Sequence, residues 1–206
     1  MSKNRRLFAV VPAAGHSRRM GQAKLMLPLG GRTVIRRLLD VLDRPEITER
    51  IVVLRRDDDP LWGEVSDAGA TIVRPETAPP DMRSSVEQAL AEIRREQSPT
   101  PDDGWMLVPA DHPVLSTAVF DTLIEHWNRH ECLILVPTCK ARRGHPTFFR
   151  WKLADEAAAL PRDRGLNELL RVHHQEICEL PIDDRAVLTD LDTPADYEAL
   201  RSRREW

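Results

Sequence analysis

The sequence predicts an α/β fold, a sandwich in which helices cover both faces of a largely parallel sheet. Three observations carry that prediction. Apolar runs of strand length recur along the chain: "LFAVVP", "RIVVLRR", "ATIV", "WMLVP" and "CLILVP". Segments with helical apolar spacing separate them, and such alternation builds βαβ units. The first run is apolar throughout rather than alternating, as expected of a strand buried on both faces. A chain of 206 residues, 41% hydrophobic and 31% charged, has room for one domain with a sizeable core.

The elements follow in order. After "LFAVVP" and a polar loop, "TVIRRLLDVLD" places Val34, Ile35, Leu38, Leu39 and Leu42 on one helical face, with Thr33 as its cap. "RIVVLRR" is the second strand, "DDPLWGEVSDAG" a short helix closed by Gly69, and "ATIV" the third strand. "SSVEQALAEIRREQ" carries its apolar stripe on Val86, Ala89, Leu90 and Ile93, and Ser84 and Glu87 have capping-box spacing. "WMLVP" runs into "ADHPVLS", and Ser116 caps a helix whose core face is Val119, Phe120, Leu123, Ile124 and Trp127. "CLILVP" is a fifth strand and "TFFRW" a shorter one, expected on an edge. Two short helices, the strand "EICELPI" and a last helix from about Pro194 complete the chain.

Bulk properties exclude several classes. No apolar run approaches a membrane span, and the apolar stretch behind the basic start is too short for a signal peptide, so a cytoplasmic protein is expected. A net charge of −3 gives no reason to expect nucleic acid. Cys132, Cys139 and Cys178 are odd in number and form no C-x-x-C pair, which predicts buried thiols rather than a disulfide framework or a zinc site.

Charge is unevenly distributed. Before Asp40 there is no acid, but there are nine cations, among them Arg18, Arg19 and Lys24 in "PAAGHSRRMGQAK" at residues 12–24. A basic opening segment on an acidic body points to a local anionic ligand; Arg36 and Arg37 read simply as the wet face of a helix. The small residues Ala13, Ala14 and Gly15 let backbone N–H groups approach phosphate oxygens, and Arg19 and Lys24 neutralise them. Neither G-x-x-x-x-G-K-[ST] nor G-x-G-x-x-G occurs. Ligands of parallel sheets bind at the carboxyl ends of the strands, and "PAAGHSRR" and "ADHP" each follow one. Both therefore land on the same rim.

At this point the chain resembles a known family. "PAAGHSRRMGQAKLMLPLGGRTVI" is similar to the signature L-A-A-G-x-S-x-R-M-G-x-x-K-L-L-L-P of the MobA-like NTP transferases, nearest the branch that contains molybdenum cofactor cytidylyltransferase. "DMRSSVEQAL", "VPADHPVL", "RGHPTFF" and "TDLDTPADY" resemble four further family segments in the family order. The resemblance implies a three-layer α/β/α sandwich with a Rossmann-like sheet of the nucleotide-diphospho-sugar transferase type. It also implies a nucleotide-binding half at about 1–115 and an acceptor-binding half at about 116–206.

It further implies a site. Ala13, Ala14, Gly15, Arg19 and Lys24 would hold a nucleoside triphosphate, with Arg74 and Ser85 near base or acceptor. Asp111, just after its strand, would hold Mg²⁺, which takes hard oxygen ligands. Spacing allows Asp190 or Asp192 as second ligand, and the resemblance favours Asp192; the same "DLDTP" stretch is also a good helix start. Arg142, Arg143, Gly144 and His145 would face the acceptor, His145 reading equally as a turn histidine. His126 and His130, four apart on a helix, read as solvent-facing.

The implied reaction moves CMP from CTP to molybdopterin with release of pyrophosphate, with Arg19, Lys24 and Asp111 as the catalytic set and a molybdoenzyme as a further partner. The alternatives are another small phosphorylated acceptor, a non-catalytic nucleotide- or cofactor-binding accessory protein, and a redox relative using a nicotinamide cofactor. The sequence departs from the family pattern at Pro12, Asp81, His112 and Asn167. Ala14, where a guanylyl branch has Gly, leans towards cytidine.

Overall fold

The computed structural model describes residues 5–202. Strand β1 (Leu7–Pro12) runs through the helix α1 (Val34–Leu42) into β4 (Glu49–Val53), after a two-residue hairpin of β2 (Pro28–Leu29) and β3 (Arg32–Thr33). Helix α2 (Asp59–Asp67) leads to β5 (Thr71–Val73), and α3 (Met82–Gln97) returns the chain to β6 (Gly104–Leu107). Helix α4 (Thr117–Arg129) precedes β7 (Ile134–Cys139), β8 (Arg142–Arg143) and β9 (Thr147–Arg150). The short helices α5 (Ala154–Ala159) and α6 (Asn167–Val172), β10 (Ile177–Pro181) and α7 (Pro194–Arg201) follow.

The main sheet has the order β10-β7-β9-β6-β1-β4-β5, with β8 paired to β7. Its β1–β4, β1–β6, β4–β5 and β7–β10 pairings are parallel. Leu7, Ala9 and Val11 enter one core with α1, α2, α4 and α7, while Phe8 and Val10 enter a second with α3, α5 and α6. That alternation at period two makes three layers from one strand. The fold is therefore the expected three-layer α/β/α sandwich with a Rossmann-like, mostly parallel sheet. Among the described residues no helix is long and apolar enough to cross a membrane.

The order of the strands sets the site. From β1 the chain builds outwards through β4 to β5, then crosses back to place β6 on the other side of β1. The carboxyl ends of β1 and β6 consequently diverge at a topological switch point, where such sheets leave a crevice.

Three expectations need correction, and one element carried no sequence signal. "TFFR" is not an edge strand: β9 lies between β6 and β7, antiparallel to both, and its burial is complete. The cap of α3 is Asp81, whose side chain accepts from the Ser84 N–H at 2.7 Å, and not Ser84. The hairpin of β2 and β3 escaped notice because two residues per strand leave no periodicity to read. Cys132 and Cys178 form a disulfide, and Cys139 alone is a free, buried thiol. Parallel pairing sets Ile177 against Ile134, so the cysteines flanking that register come within 5.8 Å at Cα. Their 46-residue separation hides this in one dimension.

Candidate functional site

The loop after β1 leaves the sheet through two buried alanines, Ala13 and Ala14. Ala13 continues the β1–β4 ladder by donating to the Val53 carbonyl at 2.9 Å. The chain then turns: Ser17 adopts φ 50°, and Met20 and Gly21 both donate to its carbonyl. Gly21 itself has φ 71°, a left-handed conformation that a side chain resists. A 3₁₀ turn at Lys24–Met26 buries Leu25 and sends Lys24 back over the rim.

On the other side of the crevice, Val108 extends the β1–β6 pairing through its bond to Val10, and the chain turns at Pro109–His112. Leu191 donates to the Asp111 carbonyl at 2.8 Å, which docks the segment before α7 beside Asp111. A capping box starts that helix: Thr193 and Asp196 exchange side-chain and backbone bonds. Thr193 takes the capping task, and the side chain of Asp192 is left to face the crevice.

Four charged groups meet there. Lys24 Nζ donates to Asp111 Oδ2 at 2.7 Å and to Asp192 Oδ1 at 3.0 Å. Arg19 reaches the other Asp192 oxygen, Oδ2, at 2.8 Å. Burial disfavours the Lys24 ammonium, but Asp111 and then Asp192 outweigh it and hold its pKa above the usual lysine value. The Lys24 side chain keeps only 15% of its surface, whereas Arg19 keeps 73% and pairs from solvent.

These groups border a cavity of about 420 Å³. Of the residues the sequence nominated, Ala13, Ala14, Gly15, Arg19 and Lys24 line it from the β1 side, and Asp111 and Asp192 from the other. Ser85, buried on the first turn of α3, lines it as well, together with Pro79, Asp81 and Met82. Arg74 does not: it lies beyond β5 and pairs with Asp59 at 3.0 Å. Asp190 is exposed and does not line the cavity either.

The "RRGHP" segment stands apart from the cavity lining. Arg142 and Arg143 form the exposed strand β8, and Arg143 pairs with Glu179 at 2.7 Å. Gly144 lies against the Val187 carbonyl, where a Cβ has no room. The His145 ring stacks edge-on against His112, centroids 5.2 Å apart. Burial, with the neighbouring His112, pushes the His145 pKa down to about 4, and burial also lowers that of His112. The Nδ1 atoms of both rings are buried without a hydrogen-bond partner. His126 and His130 stack on each other at 4.1 Å, away from the site.

One residue of this region was absent from the sequence expectations. Arg55, just past β4, donates through Nη1 to the Gly15 carbonyl at 2.8 Å, near its limit to Ala14 at 3.5 Å, and through Nη2 to Asp58 at 2.8 Å. It fastens the loop by its carbonyls, the groups an anion would avoid. The only hint was an arginine at the carboxyl end of the second strand, and nothing in one dimension says what lies above it.

Fold and rim together define a Rossmann-like α/β/α protein whose ionic cluster sits at the switch point of its sheet. The chain belongs to the family of the MobA-like NTP transferase domain, whose model matches residues 9–177. It is 33% identical over 121 residues to the 2-C-methyl-D-erythritol 4-phosphate cytidylyltransferase of Pseudomonas aeruginosa, covering 57% of this chain and 51% of that protein. The chain thus spans about half the length of the curated relatives it matches. Among solved structures it resembles the Rv0371c protein of Mycobacterium tuberculosis, at 26% identity and a TM-score of 0.80 over 97% of this chain and 99% of that one. A structure of Rv0371c in complex with manganese matches at 26% identity and TM-score 0.75, over 95% and 98%.

Proposed function

We propose that this chain is a divalent-cation-dependent nucleotidyltransferase that moves CMP from CTP to a phosphorylated small molecule, molybdopterin being the acceptor its sequence favours. The observation that carries the reading is the convergence of Arg19, Lys24, Asp111 and Asp192 on one cavity, at the carboxyl ends of β1 and β6. The manganese complex of Rv0371c and the cytidylyltransferase name of the Pseudomonas relative support it.

A cation fits the donor set. Two carboxylates approach a single ammonium within hydrogen-bond distance, so the rim already concentrates negative charge on one point. Hard oxygens of this kind suit Mg²⁺, with Asp111 and Asp192 as its protein ligands. When bound, such an ion would offset charge on the triphosphate.

The chain's own residues do the rest. An oxygen of the acceptor's phosphate monoester attacks the α-phosphorus of CTP; a phosphorus–oxygen bond forms, and the bond to the bridging oxygen breaks with its electron pair leaving on pyrophosphate. That nucleophile is largely ionised near neutral pH, since the second phosphate pKa is about 6, so no dedicated base is required. The Ala13 amide is spent on Val53, so the loop amides at Ala14 and Gly15 orient the phosphates, and Arg19 and Lys24 neutralise the charge that builds on the leaving group.

Pyrophosphate release from each NTP with Mg²⁺ and molybdopterin tests the reading; release with CTP is expected. Asp111→Asn should lower the rate by about 10²–10³-fold, the scale of losing one preorganised charge at the reacting centre. Measured without divalent ion, its nucleotide affinity should be nearly intact. Binding without release makes the protein an accessory carrier, and an Asp111→Asn variant of normal rate removes that residue from the chemistry.

A second acceptor has its own support. Arg143 is engaged by Glu179, the "RRGHP" segment does not line the cavity, and Asp81 borders it. A small polyol phosphate, as in the name of the Pseudomonas relative, places fewer demands on that segment than a pterin. Offering such phosphates beside molybdopterin decides between them.

A further inference from the structure

We propose that Lys24 is the positioning residue of the cation site: its ammonium stands between Asp111 and Asp192 in place of the divalent ion, and it yields that place only when a triphosphate draws it away. The inference rests on the transferase reading and says how cation and nucleotide depend on each other.

Three of the four carboxylate oxygens of Asp111 and Asp192 are held by cations of the chain itself. Asp111 Oδ2 and Asp192 Oδ1 receive Lys24, and Asp192 Oδ2 receives Arg19. The two aspartates come from segments 81 positions apart in the chain, and two carboxylates brought together without a cation repel each other. Lys24 therefore holds the pair in register. Its ammonium is well shielded, its backbone is set by the 3₁₀ turn, and its N–H lies 3.4 Å from Ser17 Oγ.

A Mg²⁺ ion binds oxygen at about 2.0–2.1 Å, so it cannot share these oxygens with an ammonium lying between them. Entering alone, it would have to expel a half-buried lysine and leave it beside a dication with nothing to pair with. A triphosphate changes the balance, because its oxygens offer Lys24 a new partner and free the carboxylates. The cation is then admitted together with nucleotide, and by reciprocity each raises the other's affinity by the same factor.

Mn²⁺ alone is the probe, titrated into the full-length chain without nucleotide and followed by the electron paramagnetic resonance of the free ion. Lys24→Met should bind one equivalent at least tenfold more tightly than the wild type. Asp192→Asn added to that variant should erase the gain. Arg19→Met removes a charge from the same carboxylate without occupying the ion's place, and should change affinity less than threefold. A Lys24→Met variant that binds no more tightly overturns the proposal, as does an Arg19→Met variant with the same gain. Circular dichroism checks folding. The unchanged chain supplies a second measurement: Mn²⁺ without nucleotide, at a concentration that saturates Lys24→Met, should leave the acylation rate of Lys24 within twofold, read by mass spectrometry, and a larger rise overturns the proposal. Pyrophosphate release separates the two ideas. Release without the Lys24→Met gain leaves the transferase reading standing and defeats this proposal; the gain without release does the reverse.

Discussion

The two ends of the central sheet use the same ingredients for opposite purposes. At its amino end Asp103, 3% exposed, accepts from the Arg6 backbone N–H at 2.9 Å, from Arg6 Nη2 at 2.8 Å and from the Thr100 N–H at 2.8 Å. Nearby, the buried Arg150 donates to the carbonyls of Cys132, Asp102 and His130 and lies 4.1 Å over the Trp127 ring. Most of these partners are backbone groups fixed by the fold. At the carboxyl end the partners of Lys24 and Arg19 are side chains beside an open cavity. A charge held by backbone is a staple, whereas a charge held by another exchangeable charge can be given to a ligand.

The comparison breaks most readily at Asp103. Asp103→Ala strands the backbone N–H groups of Arg6 and Thr100, while the Arg6 guanidinium keeps the Gln97 and Ser98 carbonyls; the expected cost is about 3 kcal/mol, lowering the melting temperature by roughly 6–12 °C in a chain of this size. Pyrophosphate release per folded molecule at 20 °C should stay within twofold. A large loss of rate with unchanged melting would show that the amino end is not merely structural.

His145 sharpens the contrast, because it lies on the rim side yet acts on stability. In the folded chain it titrates at about 4, pushed down by burial and by His112 with Asp111 opposing, whereas an unfolded histidine titrates near 6.5. Between those limits the unfolded state binds more protons, so stability falls as pH drops through that window, by up to about 3 kcal/mol. Urea unfolding at pH 7 and pH 4.5 should show the fall in the wild type and a smaller one in His145→Gln. Equal slopes would remove His145 as its source.

The smallest effect is expected at Arg55. Lysine cannot serve the loop carbonyls and Asp58 at once, because it lacks the planar fork. Arg55→Lys should weaken nucleotide binding about fivefold, near 1 kcal/mol, the scale of one hydrogen bond. Melting should move by less than about 2 °C. Unchanged nucleotide affinity by calorimetry would make the Arg55 contacts incidental to binding.

Local signals made much of this molecule readable in advance. The apolar faces of α1 and α4 and the caps at Thr33 and Ser116 were legible because they depend on neighbours three or four residues away. Arg19, Lys24 and Asp111 were legible because strand ends of a parallel sheet share a rim, and chain order alone names those ends. The buried place of β9 was not legible, since a four-residue strand carries no mark of which strands flank it. The same holds for the Cys132–Cys178 bond and for Arg74, which lies near the rim in sequence order but turns to Asp59.

The sequence by itself determined the layering, the helix faces and the chemical character of the rim, because each follows from residue type and short-range period. Only the tertiary structure decided between Asp190 and Asp192 as the group facing Lys24, through the capping box that takes Thr193 and the bond from Leu191 to Asp111. It also placed Lys24 between the two aspartates. Such choices depend on distances between segments far apart in the chain, and no local pattern encodes a distance that only packing creates.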